Sequence, residues 1–243
     1  LPGGFIVEAC SIRIRGETSG RFCADGRRPA ILKEQVENQS EESMQTIPVN
    51  IYDKEGIENT EATLEKVLER AQDLNIRQVV VATTTGQTAL ACADSMPGMD
   101  IIGVTMHAVD SDVYVNRHGE KVLAKDPSIM EEARRKGVKF YTGVHPLRGA
   151  VTNALKDAFN GYSAHDVIAE TLMKLFSTGT KVAVECTLMA ADAGYLDMQN
   201  DIIAIGGYRG GADTALVLKP AYSYRLFEMK VREIICFPRA AQK

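Results

Sequence analysis

Tryptophan is absent and aromatic residues make up only 6% of the 243 positions, so any core must be built from Val, Ile, Leu, Met and Ala. No apolar run approaches the roughly 18 residues of a membrane-spanning helix. Leu1 to Cys10 lacks the basic start of a secretory signal. Five cysteines (Cys10, Cys23, Cys92, Cys186 and Cys236) are odd in number and scattered, and none forms a Cys-x-x-Cys. That argues against a disulfide framework or a zinc knuckle and for reduced thiols, with Cys186 and Cys236 as small core residues. A basic excess is missing too: 28 Lys and Arg against 32 Asp and Glu give a net charge of −4, no footing for nucleic acid or an anionic membrane. The sequence shows no Ser-His-Asp set, paired-carboxylate motif or His-Glu-x-x-His. The expectation is a soluble, cytoplasmic protein with no metal site and no assignable catalytic residue.

What is present is enough chain for one α/β domain, with or without an appendage. Residues 1–43 differ from the rest, because Gly, Arg, Glu and Ser dominate from Arg13 to Ser43. The run from Lys33 to Ser43 has too few apolar residues to offset its ordering entropy. This part reads as a loosely attached extension, Met44 opens the patterned region and is a candidate natural start, and a short added strand over Phe5–Ile14 is the competing reading.

From Met44 the pattern alternates strand and helix. Ile47 to Tyr52 reads as a strand. Asn59 is placed to cap a helix whose Leu64, Val67, Leu68, Ala71 and Leu74 follow helical spacing, with Asn75 as a left-handed stop. Val79 to Val81 is a buried strand, Thr88 to about Asp94 a helix, and Asp100 to Thr105 a second strand, which together make a right-handed βαβ unit. Beyond a loop through Tyr114 and Gly119, a helix is expected over Ser128–Lys136 and a strand over Val138–Thr142. Residues 143–149 are irregular, and helices follow over about Ala164–Phe176 and Lys181–Ala193. Lys181 and Glu185 stand one turn apart and read as a solvated or structural ion pair. Asp201 to Ile205, Ala215 to Lys219 and Lys230 to Phe237 complete the strands.

Two stretches carry chemistry. In Val79-Val80-Val81-Ala82-Thr83-Thr84-Thr85-Gly86-Gln87-Thr88-Ala89 a β-branched strand breaks into hydroxyls, turns at a glycine and becomes helical. The amides of a first helical turn and the positive end of its dipole make an anion site, and four threonines within six positions add hydroxyl donors. Those residues fit a phosphate cradle or, equally, a threonine-rich cap with no ligand. The second stretch is Gly206-Gly207-Tyr208-Arg209-Gly210-Gly211-Ala212-Asp213-Thr214. A dinucleotide fingerprint requires a helix after its glycines and an acid about twenty residues on. Here Ala-Leu-Val-Leu follows, so we read a glycine-rich flap between two strands, where Arg209 can meet an anion. A tight β connection without a ligand is the plainer alternative.

Thr83-Thr84-Thr85-Gly86-Gln87-Thr88-Ala89, followed by Ile101-Ile102-Gly103-Val104-Thr105, resembles the Thr-x-Ser-Gly-x-Thr-Ala segment and next strand of the pyruvate kinase C-terminal domain. The later glycine-rich loop running into Ala212-Asp213-Thr214-Ala215-Leu216-Val217 is similar to that domain's second effector-binding loop. A wider resemblance, over nearly all of Met44–Pro238, is to stand-alone prokaryotic proteins with a pyruvate kinase C-terminal-like fold. It rests on Glu58-Asn59-Thr60-Glu61, Val81 to Gly86, Lys181-Val182-Ala183-Val184-Glu185, Asp192-Ala193-Gly194, Ile203 to Gly207, Gly210 to Ala215 and Arg232-Glu233-Ile234-Ile235-Cys236, in that order.

The resemblance implies a three-layer α/β sandwich with a central, mostly parallel sheet over residues 44–243, and a phosphorylated ligand, flavin mononucleotide foremost. Carried over, Thr83, Thr84, Thr85, Gly86, Gln87 and Thr88 would hold the phosphate. Arg209, Gly206, Gly207, Gly210 and Gly211 would close over it, Asp213 and Thr214 would anchor the flap, and Asn59, Thr105, His107 and His145 would line the remainder. Each of the last two histidines reads equally as a hydrogen-bonded rim residue, and His118 and His165 are read only so. Thr84 stands where the kinases commonly carry lysine, and Gln87 where they carry arginine. A sugar bisphosphate would be less well neutralised here, whereas one phosphomonoester suits amides and hydroxyls. The functional expectation is a sensor or regulatory module, with a flavin-dependent oxidoreductase as the alternative and a homo-oligomer as a further possibility through an exposed sheet edge.

Overall fold

The computed structural model describes residues 45–108, 113–115, 121–123 and 125–239. The expectations for residues 1–43, including the strand over Phe5–Ile14, and for His118 lie outside the described residues. The fold below belongs to the unit Ile47–Lys243.

Nine strands and six α-helices are formed among the described residues. The strands are β1 (Asn50–Tyr52), β2 (Gln78–Ala82), β3 (Asp100–Thr105), β4 (Val113–Val115), β5 (Lys121–Leu123), β6 (Lys139–Thr142), β7 (Ile202–Gly206), β8 (Thr214–Lys219) and β9 (Lys230–Pro238). The helices are α1 (Thr60–Leu74), α2 (Gln87–Ser95), α3 (Pro127–Arg135), α4 (Ala150–Phe159), α5 (Ala164–Leu175) and α6 (Thr178–Asp192). Seven strands make one sheet in the order β1-β9-β8-β7-β2-β3-β6, parallel except where β8 runs antiparallel to β7 and β9. The remaining pair, β4 and β5, is an antiparallel ribbon inside the stretch read from sequence as loop.

The central strands are buried on both faces, which is why they read as unbroken Val/Ile runs. Period-two alternation then sorts the side chains into two cores. Val79, Val81, Ile101, Ile203, Ile205 and Val217 pack with α1, α2 and α3 on one side. Val80, Ile102, Val104, Ile202, Ala204, Leu216 and Leu218 pack with α5 and α6 on the other. This is a three-layer α/β sandwich. Cys92, Cys186 and Cys236 are all buried free thiols, and burial raises the thiol pKa of each.

Local signals explain most boundaries. Asn75 adopts φ 54° and stops α1; Asp126 caps α3 by accepting from the amides of Ser128 and Ile129; Ser177 caps α6 by accepting from Thr180. Asn59 departs from expectation, because its side chain donates to the carbonyls of Lys54 and Gly56 and closes the preceding turn without capping α1. Helix α4 was not expected from the sequence; a reciprocal box between Gly149 and Thr152 starts it. No helix among the described residues is long and apolar enough to cross a membrane.

Helix α6 sits hard on β7, and Gly206 and Gly179 are the reason. A Cβ on Gly206 would fall on the Gly179 carbonyl oxygen, and one on Gly179 would fall on the Thr214 hydroxyl. Overpacking a rigid backbone contact costs about 1–3 kcal/mol, so Gly206→Ala is expected to lower the unfolding free energy by that much, read as a lower urea midpoint with an unchanged slope. Gly161→Ala, at an exposed position with no close neighbour, is expected to stay within about 0.5 kcal/mol of the parent.

Candidate functional site

The parallel neighbours β7, β2 and β3 end on the same edge of the sheet, and each opens into an irregular segment there. Crevices in open α/β sheets form at such carboxyl ends. Here the crevice has a volume of about 1070 Å³, just above the usual range of roughly 300–1,000 Å³ for small-molecule sites.

Its first wall is the threonine turn. Gly86 adopts φ 100° as the residue before α2, and a Cβ there would press on Met130 Cγ at 2.8 Å. Thr83 accepts from the Gly86 amide at 3.1 Å, Thr85 accepts from Gln87 at 3.4 Å, and the Thr85 carbonyl accepts from the Asp126 amide at 3.2 Å. The loop therefore caps two of its own amides and is pinned to the start of α3. The amides of Thr84, Thr85, Thr88 and Ala89 find no acceptor among the described residues. Those four, not the whole turn, are left to meet an anion.

The facing wall is the flap between β7 and β8. Arg209, Gly210 and Gly211 take φ of 54°, 97° and 68° in succession, which turns the chain back sharply; the non-glycine Arg209 is held there at a cost of roughly 1–2 kcal/mol. Arg209 lies over the Tyr208 ring at 5.1 Å. The base of the flap is tied down from several directions. The Thr60 hydroxyl accepts from the Ala212 amide at 3.0 Å, Asp213 Oδ2 accepts from the Gly56 amide at 3.0 Å, and Asp213 Oδ1 accepts from the Thr214 hydroxyl at 2.8 Å. Thr214 in turn shares a 3.1 Å hydrogen bond with Ser177 at the cap of α6.

The floor comes from the loop after β6, where a buried network carries His145. Glu185 is 2% exposed and both its oxygens are engaged. Oε1 accepts from the amides of Leu147 and Arg148, each at 2.8 Å. Oε2 accepts from the Lys181 ammonium and lies 3.4 Å from His145 Nδ1. Burial alone would raise the Glu185 carboxyl, but the hydrogen bond from His145 and the Lys181 charge outweigh it and hold the pKa below the usual range. Lys181 and Glu185 are thus a buried structural pair and not a solvated one.

The residues singled out in the sequence divide as follows. Thr83, Thr84, Thr85, Gln87, Thr88, Thr105, His145, Gly207, Arg209, Gly210 and Gly211 line one crevice. Gly86, Gly206, Asn59 and His107 are outside its wall: Gly86 shapes the turn, Gly206 lies under α6, Asn59 closes its own loop, and His107 meets His145 edge-on at 6.3 Å. Asp213 and Thr214 are fully buried beneath the flap, and His165 is exposed. Sequence reasoning missed Tyr208, Lys121, Val182 and Cys186 in the lining, and Glu185 behind it. The Lys-x-x-x-Glu spacing was visible, but nothing in it told which face of an almost uniformly apolar helix would turn inward.

Residues 61–218 match the family described as the pyruvate kinase alpha/beta domain, and the chain belongs to that family. Among solved structures it is similar to a pyruvate kinase from Cryptosporidium parvum, at 14% identity and TM-score 0.32, covering 72% of this chain and 24% of that one. It is also similar to Cryptosporidium parvum pyruvate kinase in complex with ADP, at 16% identity and TM-score 0.30, covering 79% and 25%. The chain spans about a quarter of the length of these pyruvate kinases.

Asp213 gives the flap a pH signature. Burial, reinforced by the Glu55 charge and only partly opposed by the Thr214 and Gly56 hydrogen bonds, raises its pKa from 3.8 to about 6. The folded state then binds this proton more tightly than the unfolded state, so the stabilisation is full below the unfolded value and is lost as pH rises through about 6. Asp213→Asn, which cannot ionise, is expected to gain on the parent by on the order of 2 kcal/mol between about pH 4 and pH 7, read by urea denaturation. A constant difference across that range would show that Asp213 does not titrate in this way.

Proposed function

We propose that the chain binds a phosphorylated small molecule in this crevice and serves as a sensor or regulatory module. One observation carries the reading: the threonine turn, four of whose amides at and just before the start of α2 have no acceptor among the described residues, and the Gly/Arg flap line the same cavity. A phosphomonoester on those amides gains charge-assisted hydrogen bonds and the helix dipole, and Arg209 and Lys121 supply positive charge from the other walls.

Flavin mononucleotide is the leading candidate, on the family resemblance. The crevice suits it in two respects: the amides match one terminal phosphate, and the wall contains an aromatic ring, Tyr208, beside largely apolar Val104, Val182 and Ile129. Threonine turn, flap and Tyr208 would hold the nucleotide; any redox chemistry would be the flavin's own.

The test is calorimetric titration with flavin mononucleotide and with inorganic phosphate, alongside native mass spectrometry of what copurifies. Thr84→Asp places a carboxylate at the cradle, at a half-buried position, and is expected to weaken both by at least about 100-fold, because like charges in contact cost several kcal/mol. A substitution at Gly86 would collide with Met130 and report on folding. Unchanged affinity in Thr84→Asp would remove the threonine turn from the site; phosphate binding without flavin binding would keep the cradle and discard the flavin.

A further inference from the structure

The His145–Glu185 arrangement is more elaborate than a rim residue requires. Glu185 is buried and accepts from three donors, two loop amides and an ammonium, and its Oε2 lies 3.4 Å from the imidazole Nδ1 of His145. The amides of Leu147 and Arg148 fix the carboxylate relative to the loop that carries His145, and Leu147 is itself buried in the core beneath. Lys181 is 7% exposed and also reaches the Arg148 carbonyl at 3.5 Å, so the pair cannot swing away. His145 is 26% exposed and lines the crevice. With Nδ1 facing the carboxylate, the polar atom left for the cavity is Nε2. A carboxylate that fixes one ring nitrogen sets the tautomer and supports the imidazolium formed when the other accepts a proton.

We propose that His145 is an acid–base group that exchanges a proton with a phosphorylated α-hydroxycarbonyl compound bound in the crevice. This rests on the phosphomonoester reading above. Proton removal from carbon is the simplest net step that needs no co-reactant. The lone pair on Nε2 takes the proton from the carbon next to the carbonyl. The C–H bonding pair becomes the carbon–carbon double bond of an enediolate, and the carbonyl π pair moves onto oxygen. The charge on that oxygen arises in a cavity lined by the threonine turn, Lys121 and Arg209. Return of the proton from the imidazolium restores the neutral base. Glu185 is a positioning residue, keeping its carboxylate against Nδ1 throughout. A flavin seated on the same cradle would compete with this substrate.

The whole chain is incubated in heavy water with dihydroxyacetone phosphate, ribulose 5-phosphate and fructose 6-phosphate, and loss of the α-proton signal is followed by proton NMR; phosphate affinity is measured in parallel. Deuterium is expected to enter at least one of the three. The rate should fall by about 100-fold or more in His145→Gln, the usual scale for removing a general base, with phosphate affinity within about 2-fold of the parent. Excess flavin mononucleotide should slow the exchange. Nitrogen NMR of the wild-type protein should show His145 carrying its proton on Nδ1, a readout that a purely structural role for Glu185→Gln would leave in place and that a positioning role would shift. No deuterium in any of the three compounds while phosphate still binds, or a His145 proton resting on Nε2, overturns the proposal. Failure to bind phosphate would instead remove the reading beneath it.

Discussion

The site depends on one long-range pairing. Strands β2 and β7 are hydrogen-bonded in parallel, Val79 opposite Ile203, Val80 opposite Ala204 and Val81 opposite Ile205, although they are far apart in sequence. Because the strands run the same way, the segments that leave them emerge on the same edge, and so the threonine turn and the glycine flap face each other. A slip of one residue would rotate Val80 and Ala204 into the wrong core. The two apolar cores that sandwich these strands hold the register, and with it the width of the crevice.

A second constraint acts from beneath. Helix α6 can approach the sheet this closely only because Gly206 on β7 leaves room for the Gly179 carbonyl and Gly179 leaves room for Thr214 at the start of β8. That approach brings Glu185 under the loop after β6, where the carboxylate organises two amides, Lys181 and His145. A buried ion pair of this kind stabilises little by itself, since desolvation offsets attraction, but removing either partner leaves an uncompensated charge and costs about 3–5 kcal/mol. Such a network therefore fixes geometry more than it adds stability. The flap is held in a comparable way, through Asp213, Thr214 and Ser177, so the facing wall and the cap of α6 form one connected hydrogen-bonded chain. Arg209 in the left-handed region is tolerated because that chain and the Thr60 contact fix the C-terminal side of the turn, and the Asp213 amide donates back to the Gly206 carbonyl at 3.1 Å to close it.

Much of this was legible in the residues. The Val79–Ala82 strand, Gly86 as the turn, α1 with its Asn75 stop, α3, α5, and the Gly206–Thr214 connection between strands all follow from local pattern and conformational preference, and the structure forms them within a few residues. The misses have identifiable causes. Helix α4 carries Val151, Leu155 and Phe159 at helical spacing, yet all three are exposed, and the Gly149 and Asn160-Gly161 flanks read as loop. Strands β4 and β5 are three residues each and pair only with one another among the described residues, too short for a period to show. Asn59 had the composition of a cap, but its amide found nearer carbonyls in its own turn.

The sequence by itself determined which segments are strand or helix, where the chain turns, and that an anion-ready helix start and a glycine-rich flap exist, because these are set by neighbours a few residues apart. Only the tertiary structure decided that the two stretches share a crevice, that the turn satisfies two of its own amides while leaving four free of acceptors among the described residues, and that Glu185 points inward to hold His145. Strand order and the buried face of α6 are chosen by packing two apolar cores at once, and a uniformly apolar helix or a fully buried strand carries no local mark of its partner.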